Sequence, residues 1–478
     1  MRASRLRWGS LLLAGLVAGC ALGPDYRRPV VATPERYRYA SAEARELSNS
    51  AWWAQFGDPV LEALIEEGLA NNLDLRIAAA QVEQFAGALG SARAQLFPQI
   101  GAELTGSRTR ASERSATGAP PGNPYNAVQA DLSASWEIDL FGRLRRLSEA
   151  AQADLLASDA GRRATAMSLV ASIASGYVTL RALDRQLEIA RATLKSRAEA
   201  LAVFEKRFKG GVISQMELEQ ARSEYATAQA AVPDYERQVA QQENALAVLV
   251  GRGPGPVARG ATIDVLRLPS VPAGLPSELL ERRPDLLGAE QTLVAANARI
   301  GATKALYFPS ISLTGLFGGA STSLSGLFGG PARAWSYGGA IAAPVFNAGS
   351  IKGQVQSAEA VQQQALHGYQ RAVQTAFLEV EDALVGQARY RERLAVQQIQ
   401  VQALRHYARL ARARYEGGYS SFLEVLDAER SLFSVELDFT RGQAATQTQM
   451  IGLYKALGGG WVDSAAALAA GDASVAPR

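Results

Sequence analysis

The chemistry open to this chain begins with its single cysteine. Arg2, Arg5 and Arg7 precede the apolar run Leu11 to Val17, and Leu16-Val17-Ala18-Gly19-Cys20 ends in small residues that fit a signal peptidase cleft. This is a secretory signal, too short to span a bilayer as a helix, and the thiol behind it is placed to receive a diacylglyceryl group. With Cys20 so used, neither a disulfide framework nor a Cys-based metal site remains. The two histidines, His367 and His406, lie in long helical patterns without partners at metal spacing and read as helix-surface residues. Gly251 to Gly260 follows a helical pattern rather than a strand, so it reads as a linker and not a phosphate loop. No serine sits in a nucleophile elbow. The residues therefore predict no catalytic site, no bound metal and no cofactor beyond an N-terminal diacylglycerol and fatty acyl lipid on Cys20.

The formal charge is +3, and the three arginines of the signal account for all of it. Positive and negative residues are interspersed through the rest, which excludes the basic stripe of a nucleic-acid partner.

What positions Cys20 is a chain that says much the same thing twice. At a shift of 207 to 211 residues, Asp74-Leu75 aligns with Asp285-Leu286, Phe97-Pro98 with Phe308-Pro309, Phe208-Lys209-Gly210-Gly211 with Tyr415-Glu416-Gly417-Gly418, and Leu249-Val250-Gly251 with Ala456-Leu457-Gly458. Each copy runs helix, two alternating segments, then two long helices joined at a Gly-Gly turn. The expected organisation is a signal peptide over 1–19, a first repeat over 20–276, a second over 277–460 and a tail over 461–478. The first repeat holds strands at about 99–140, a hairpin at about 143–250 and a linker at 251–276; the second holds strands at about 310–346 and a hairpin at about 350–457.

From Val128 to Leu140 apolar and polar residues alternate without a break, roughly 40 Å of strand at about 3.3 Å per residue. Ile100, Ala102 and Leu104 alternate on the other side of the polar stretch Ser107 to Asn126. In the second copy Ile311, Leu313 and Phe317, then Trp335, Tyr337, Ile341 and Val345, flank Gly318 to Arg333. Alternation alone fits a soluble sandwich with one wet face equally well. The export signal, the Asp and Glu on the polar face and the aromatics Trp136, Trp335 and Tyr337 favour a membrane barrel. Lipid tolerates no unpaired strand edge, and four strands cannot close a barrel whose minimum is about eight. Three chains would supply about twelve.

Between Arg143 and Gly210 there is no proline, and an unbroken helix there would approach 100 Å at about 1.5 Å per residue. Leu187, Leu194, Leu201 and Phe208 fall seven apart. Leu218, Tyr225, Val232, Val239 and Leu246 answer them on the return, and Leu394, Val401, Ala408 and Tyr415 with Val425, Leu432 and Phe439 do so in copy two. Two antiparallel coiled-coil hairpins follow. At the tips, Gly210-Gly211 and Gly417-Gly418 can supply the left-handed turn, and Ser214 with Glu217 and Ser421 with Glu424 have capping-box spacing. Pro233 should kink the first returning helix.

The run Cys20-Ala-Leu-Gly-Pro-Asp-Tyr-Arg-Arg-Pro, then Trp52-Trp53-x-x-Phe56-x-Asp58-Pro59-x-Leu61, Asn72-Leu73-Asp74-Leu75, Phe97-Pro98, Arg282-Arg283-Pro284-Asp285-Leu286 and Leu426-Asp427-Ala428-Glu429-Arg430, resembles the outer-membrane efflux lipoproteins of the NodT/OprM branch of the TolC family, from Cys20 to about Trp461. The resemblance implies a mainly α, TolC-like homotrimer: a membrane β-barrel of four strands per chain continuous with a periplasmic α-helical barrel. It implies two partners, a periplasmic adaptor and a proton-driven inner-membrane transporter of the resistance-nodulation-division class. Similarity to other lipoproteins, with Ala21 rather than Asp after the cysteine, implies the outer membrane. The resemblance places a periplasmic gate at Tyr415, Asp427 and Arg430, and adaptor contacts at the hairpin tips, Gly210, Gly211, Ser214, Gly417, Gly418 and Ser421. At the copy-one positions stand Phe208, Gln220 and Ser223, which cannot form the same charged pair, so one latch per chain is expected, built on Asp427 and Arg430. Two rivals remain: an outer-membrane duct for ATP-driven protein secretion, and a periplasmic coiled-coil adaptor lipoprotein, which should lack the second hairpin and the bilayer-length strands.

Overall fold

The computed structural model describes residues 21–30, 37, 52–114, 122–267 and 279–459. The predicted signal, Cys20 and the tail lie outside them. Among the described residues, those within Met1–Val30, Gln81–Asp159 and Gly288–Gln370 form one compact unit, and those within Val31–Ala80, Ala160–Leu287 and Arg371–Arg478 a second. Each unit draws on both repeats.

In the first unit the alternating segments are strands of one antiparallel meander, ordered β1 (Gln99–Thr109), β2 (Tyr125–Ile138), β3 (Ser310–Ser321) and β4 (Arg333–Ala342). The register brings Ala102, Leu132 and Phe317 into line, then Trp335 beside Phe317, and two tiers along the same face Trp136, Leu313 and Gly339. One face is thus apolar across all four strands and exposed in the single chain. The other carries Glu103 opposite Asp131, with Ser133, Ser135, Ser312 and Thr314. β1 and β4 are open edges.

Strand limits depart from expectation for local reasons. β2 stops at Ile138 because Asp139 turns to cap the next helix, its carboxylate accepting from Leu144 N at 3.1 Å and Arg145 N at 2.8 Å. β4 stops at Ala342, two residues before Pro344, which has no N–H for a ladder; Val345 lies beyond it. β3 instead runs on through Gly318 and Gly319 to Ser321, so the outer loop is shorter than expected. A Cβ at Gly318 would stand 2.2 Å from Asp131 Oδ1, so glycine makes room there for the carboxylate.

The helices are α1 (Pro59–Asn71), α2 (Leu73–Ala94), α3 (Arg143–Lys209), α4 (Gln215–Leu249), the single turn α5 (Leu279–Arg282), α6 (Pro284–Lys304), α7 (Ser350–Glu416) and α8 (Phe422–Ala456). The repeat is kept to the residue: α3 and α7 have 67 residues each, α4 and α8 have 35 each. α4 continues through Pro233.

The core of the second unit gathers Trp52, Trp53, Phe56, Leu61 and Ile65 against Val170, Ile173, Tyr177, Leu246, Ile451 and Tyr454. Trp52 stacks on Tyr454 at 4.8 Å. Burying each such side chain contributes about 1.5–3 kcal/mol. Asp58 sits fully buried among them as the N-cap of α1. It accepts from Val60 N at 2.9 Å, Ala261 N at 2.9 Å and the Tyr177 hydroxyl at 2.7 Å, and that hydroxyl in turn accepts from Gly260 N at 2.9 Å. Burial and then the Asp58 bond push the Tyr177 phenol up, so it stays a neutral donor. A Cβ on Gly260 would lie 2.1 Å from Asp58 Oδ1, so the linker can approach this carboxylate only as glycine.

The two repeats share a joint. Asn72 donates to Leu249 O at 2.9 Å, and Arg283, its counterpart at a shift of 211, donates to Ala456 O at 3.0 Å, the counterpart of Leu249 at 207. Each closes an orphan carbonyl at the end of a returning helix. Burial pulls the Arg283 guanidinium down, but Asp285 and Glu379, each at 2.7 Å, outweigh it and leave it above its ordinary value.

Candidate gate, docking tips and N-terminal strap

The predicted heptads meet. Ile189, Ala190 and Tyr235 pack with Leu437, and nearer the tips Phe204, Leu218 and Ala221 pack with Ala408, Ala411, Phe422, Val425 and Leu426. The two hairpins of one chain therefore share a core.

Gly211 and Gly418 have φ of +69° and +77°, so of each expected Gly-Gly pair it is the second glycine that takes the left-handed turn. The capping box forms at Ser214, which accepts from Glu217 N at 3.3 Å while Glu217 accepts from Ser214 N at 2.8 Å. It does not form at Ser421. There Glu424 N donates to Ser421 O at 3.3 Å, which satisfies the donor without the side chain. Both tips hold up apolar side chains at matching positions: Val212 and Tyr419 are 73% and 81% exposed, Met216 and Leu423 67% and 62%.

The three gate residues do not form the expected group. Tyr415 stacks on Phe204 and accepts from Arg207 Nη1 at 2.5 Å, with that guanidinium 5.4 Å from its ring. Arg430 donates from Nε to Glu224 at 3.1 Å, not to Asp427. Glu224, first by hydrogen bond and then by charge, holds the Arg430 guanidinium above its ordinary value, and Asp427 adds only a weaker electrostatic effect. Asp427 is exposed. Arg430 prefers Glu224 because that carboxylate is largely shielded from water, 12% exposed, so an ion pair with it is screened less. Both contacts therefore cross from the copy-two hairpin to the copy-one hairpin.

Sequence reasoning missed the residues beneath them. Arg197, 5% exposed, lies 3.6 Å from Glu224 and 3.4 Å from Glu429, and Glu429 also pairs with Arg412. Three arginines and two glutamates thus link both hairpins. The signal was a charge reversal in the repeat: Arg412 and Glu429 stand where copy one has Glu205 and Arg222, themselves 3.8 Å apart. The histidines lie on helix surfaces, His367 at 3.1 Å from Gln370 and His406 at 2.6 Å from Arg409.

In the first unit, residues 21–30 form a strap over α3 and α6. Leu22 N donates to Phe141 O at 3.2 Å; Arg146 reaches Leu22 O at 3.3 Å and Asp25 at 2.7 Å. Asn297 donates to Pro24 O at 2.8 Å, and Tyr26 and Arg28 bond Glu290 at 3.0 and 2.7 Å. Burial, then that Glu290 bond, push the Tyr26 phenol up. A Cβ at Gly23 would meet Gly301 Cα at 2.4 Å, so the strap crosses α6 glycine on glycine. The repeat counterparts of Arg146, Glu290 and Asn297 are Gly353, Ala79 and Ala86. Among the described residues the seat is built once.

Comparison with known proteins agrees with this architecture. The family model described as outer membrane efflux protein matches residues 64–252 and 275–459. The chain is 38% identical over 458 residues to the probable efflux pump outer membrane protein TtgC of Pseudomonas putida, covering 94% of each. It is 37% identical over 451 residues to the cation efflux system protein CusC of Escherichia coli, covering 93% of this chain and 96% of the other. The solved outer-membrane channel OprN superposes with a TM-score of 0.84 at 30% identity, over 93% of this chain and all of that one. The chain belongs to the outer membrane efflux protein family, as a channel that spans the outer membrane, extends into the periplasm and serves an efflux system.

Proposed function

We propose that three copies pool their sheets into one closed twelve-strand barrel, the mouth of a passive duct that receives small molecules from a periplasmic adaptor and a proton-driven inner-membrane transporter of the resistance-nodulation-division class. The sheet carries this reading: an apolar face runs unbroken across four strands whose outer two edges are unpaired. In hydrocarbon such edges must find partners, and a second and third copy supply them. TtgC and CusC are named as parts of efflux systems, which supports the same assignment of partners. A lipid on Cys20 is the proposed anchor.

The tips are the proposed adaptor contact. Exposed apolar side chains repeated at Val212, Met216, Tyr419 and Leu423 give each chain two equal footholds. Val212→Glu with Tyr419→Glu is expected to leave the assembled channel in the outer membrane, while export of a fluorescent efflux substrate falls to that of cells lacking the channel. Unchanged export would refute the docking assignment.

The proposed gate is the set of ties between hairpins, Tyr415 to Arg207 and Arg430 to Glu224. The Asp427→Ala, Arg430→Ala double variant is expected to raise single-channel conductance several-fold in planar bilayers, and Glu224→Gln alone to reproduce most of the rise. Wild-type conductance in both would remove the gate from these residues.

A further inference from the structure

Between the two hairpins, α3, α7 and α8 together line a groove of about 540 Å³. Its cations are all arginines: Arg185 and Arg197 from α3, and Arg405, Arg409 and Arg412 from α7, against the three carboxylates of Glu188, Glu429 and Glu436. The α7 arginines stand at i, i+4 and i+7, on one face of the helix. At a shift of 207 their counterparts in copy one are Ala198, Ala202 and Glu205, so the repeat did not bring this basic face with it.

Most of these cations are already paired. Arg405 meets Glu436 at 2.7 Å, Arg412 meets Glu429, and Arg185 meets Glu188 at 2.9 Å and Asp264 at 3.4 Å. Two arginines keep open donors. Arg409 reaches only His406 Nδ1, at 2.6 Å, and pairs with no carboxylate among the described residues. Arg197 is 5% exposed, yet its Nη1 makes no hydrogen bond; Glu429 stands 3.4 Å from that nitrogen as a charge, and Glu224 lies 3.6 Å from Nη2. A buried donor left open is costly, and an arriving oxygen removes that cost. The rest of the lining is largely apolar, with Ile189, Ala192, Ala408, Leu432 and Phe433 among the arginines. From Arg185 to Arg197 the groove follows α3 for about 18 Å, at about 1.5 Å per residue.

We propose that this groove binds an amphipathic carboxylate, its acid group drawn to the open donors of Arg197 and Arg409 and its apolar body laid against Leu432 and Phe433. The excess of arginine over glutamate selects an anion, and the planar guanidinium fork suits a carboxylate. The volume is that of a site for a drug-sized molecule, and the apolar lining favours an acid with a hydrocarbon body over a bare oxyanion. Because one wall belongs to the copy-one hairpin and the others to the copy-two hairpin, an occupant braces the two together; this consequence rests on the gate proposed above, whereas the binding does not.

The probe is 2-naphthoate, titrated calorimetrically into the full-length channel in nanodiscs of neutral lipid. Saturable binding is expected, with 2-naphthylmethanol, which lacks the charge, at least about tenfold weaker. Arg409→Gln, at an exposed position, and Arg197→Lys, which keeps the charge between Glu224 and Glu429 but removes Nη1, should each weaken 2-naphthoate about tenfold, as the loss of one charge-assisted hydrogen bond does. Ala192→Trp leaves every arginine in place, fills the groove from an exposed position on α3 and should abolish binding. Equal heats from wild type and Ala192→Trp would mean partition into lipid and overturn the site. Inorganic phosphate binding as tightly as 2-naphthoate would overturn the amphipathic class. In planar bilayers 2-naphthoate should lower the conductance of the wild type and not of Ala192→Trp; saturable binding with unchanged conductance would keep the site and overturn the brace.

Discussion

Leu132→Arg is expected to keep the channel out of the outer membrane, whereas Ser133→Arg, one residue along, should assemble. Leu132 lies at the middle of β2, between Ala102 and Phe317 on the apolar face. A charge at the bilayer midplane costs about 2–4 kcal/mol for each strand that carries it, and every copy in the assembly carries one. Ser133 pairs with Gly101 and Leu316 on the opposite face, where Asp131 and Glu103 already bear charge. Fractionation followed by a heat-modifiability gel separates the outcomes, and the channels of Ser133→Arg should shift in ion selectivity toward anions. If both variants assemble equally, the assigned faces are wrong.

Asp58→Ala should be the most damaging substitution in the second unit. It removes the acceptor of three hydrogen bonds at a fully buried site and strands Val60 N, Ala261 N and the Tyr177 hydroxyl. Bonds to a buried carboxylate are worth about 1.5–3 kcal/mol each, and stranded donors add their desolvation, so a loss of about 4 kcal/mol or more is expected. Tyr177→Phe keeps the Asp58 bonds to Val60 and Ala261 and should cost about 1–2 kcal/mol. Denaturant midpoints followed by tryptophan emission from Trp52 and Trp53, which pack in the same core, report the order. A midpoint for Asp58→Ala within error of wild type would show that Asp58 is not the hub.

Most of the fold was legible because its signals are periodic. Thirteen alternating residues force a strand with two unlike faces, and the proline-free run from Arg143 to Gly210, with heptad spacing toward its end, forces a 67-residue helix. The duplication then doubled every observation. Strand ends were misjudged where a single residue intervenes, Asp139 by capping a helix and Pro344 by lacking an N–H. The partners of the expected latch residues were not legible. Asp427 and Arg430 are three apart on one helix, a spacing that suggests a local pair, but the choice of partner is tertiary: Glu224 offers Arg430 a drier carboxylate from another hairpin. Motifs such as Asn72-Leu-Asp-Leu and Arg283-Pro-Asp-Leu were visible as resemblances before their work was known, and that work is to hold Leu249 O and Ala456 O.

The strap has a consequence for where the molecule sits. Leu22 is fixed to Phe141, the residue at which strand gives way to helix. Cys20 is two residues upstream, a reach of about 7 Å at most. Acyl chains attached there could not roam the leaflet; they would mark one height on the wall, like a waterline on a hull. Lengthening the strap between Cys20 and Leu22 would let the whole body ride higher or lower against the bilayer while its contacts stayed intact.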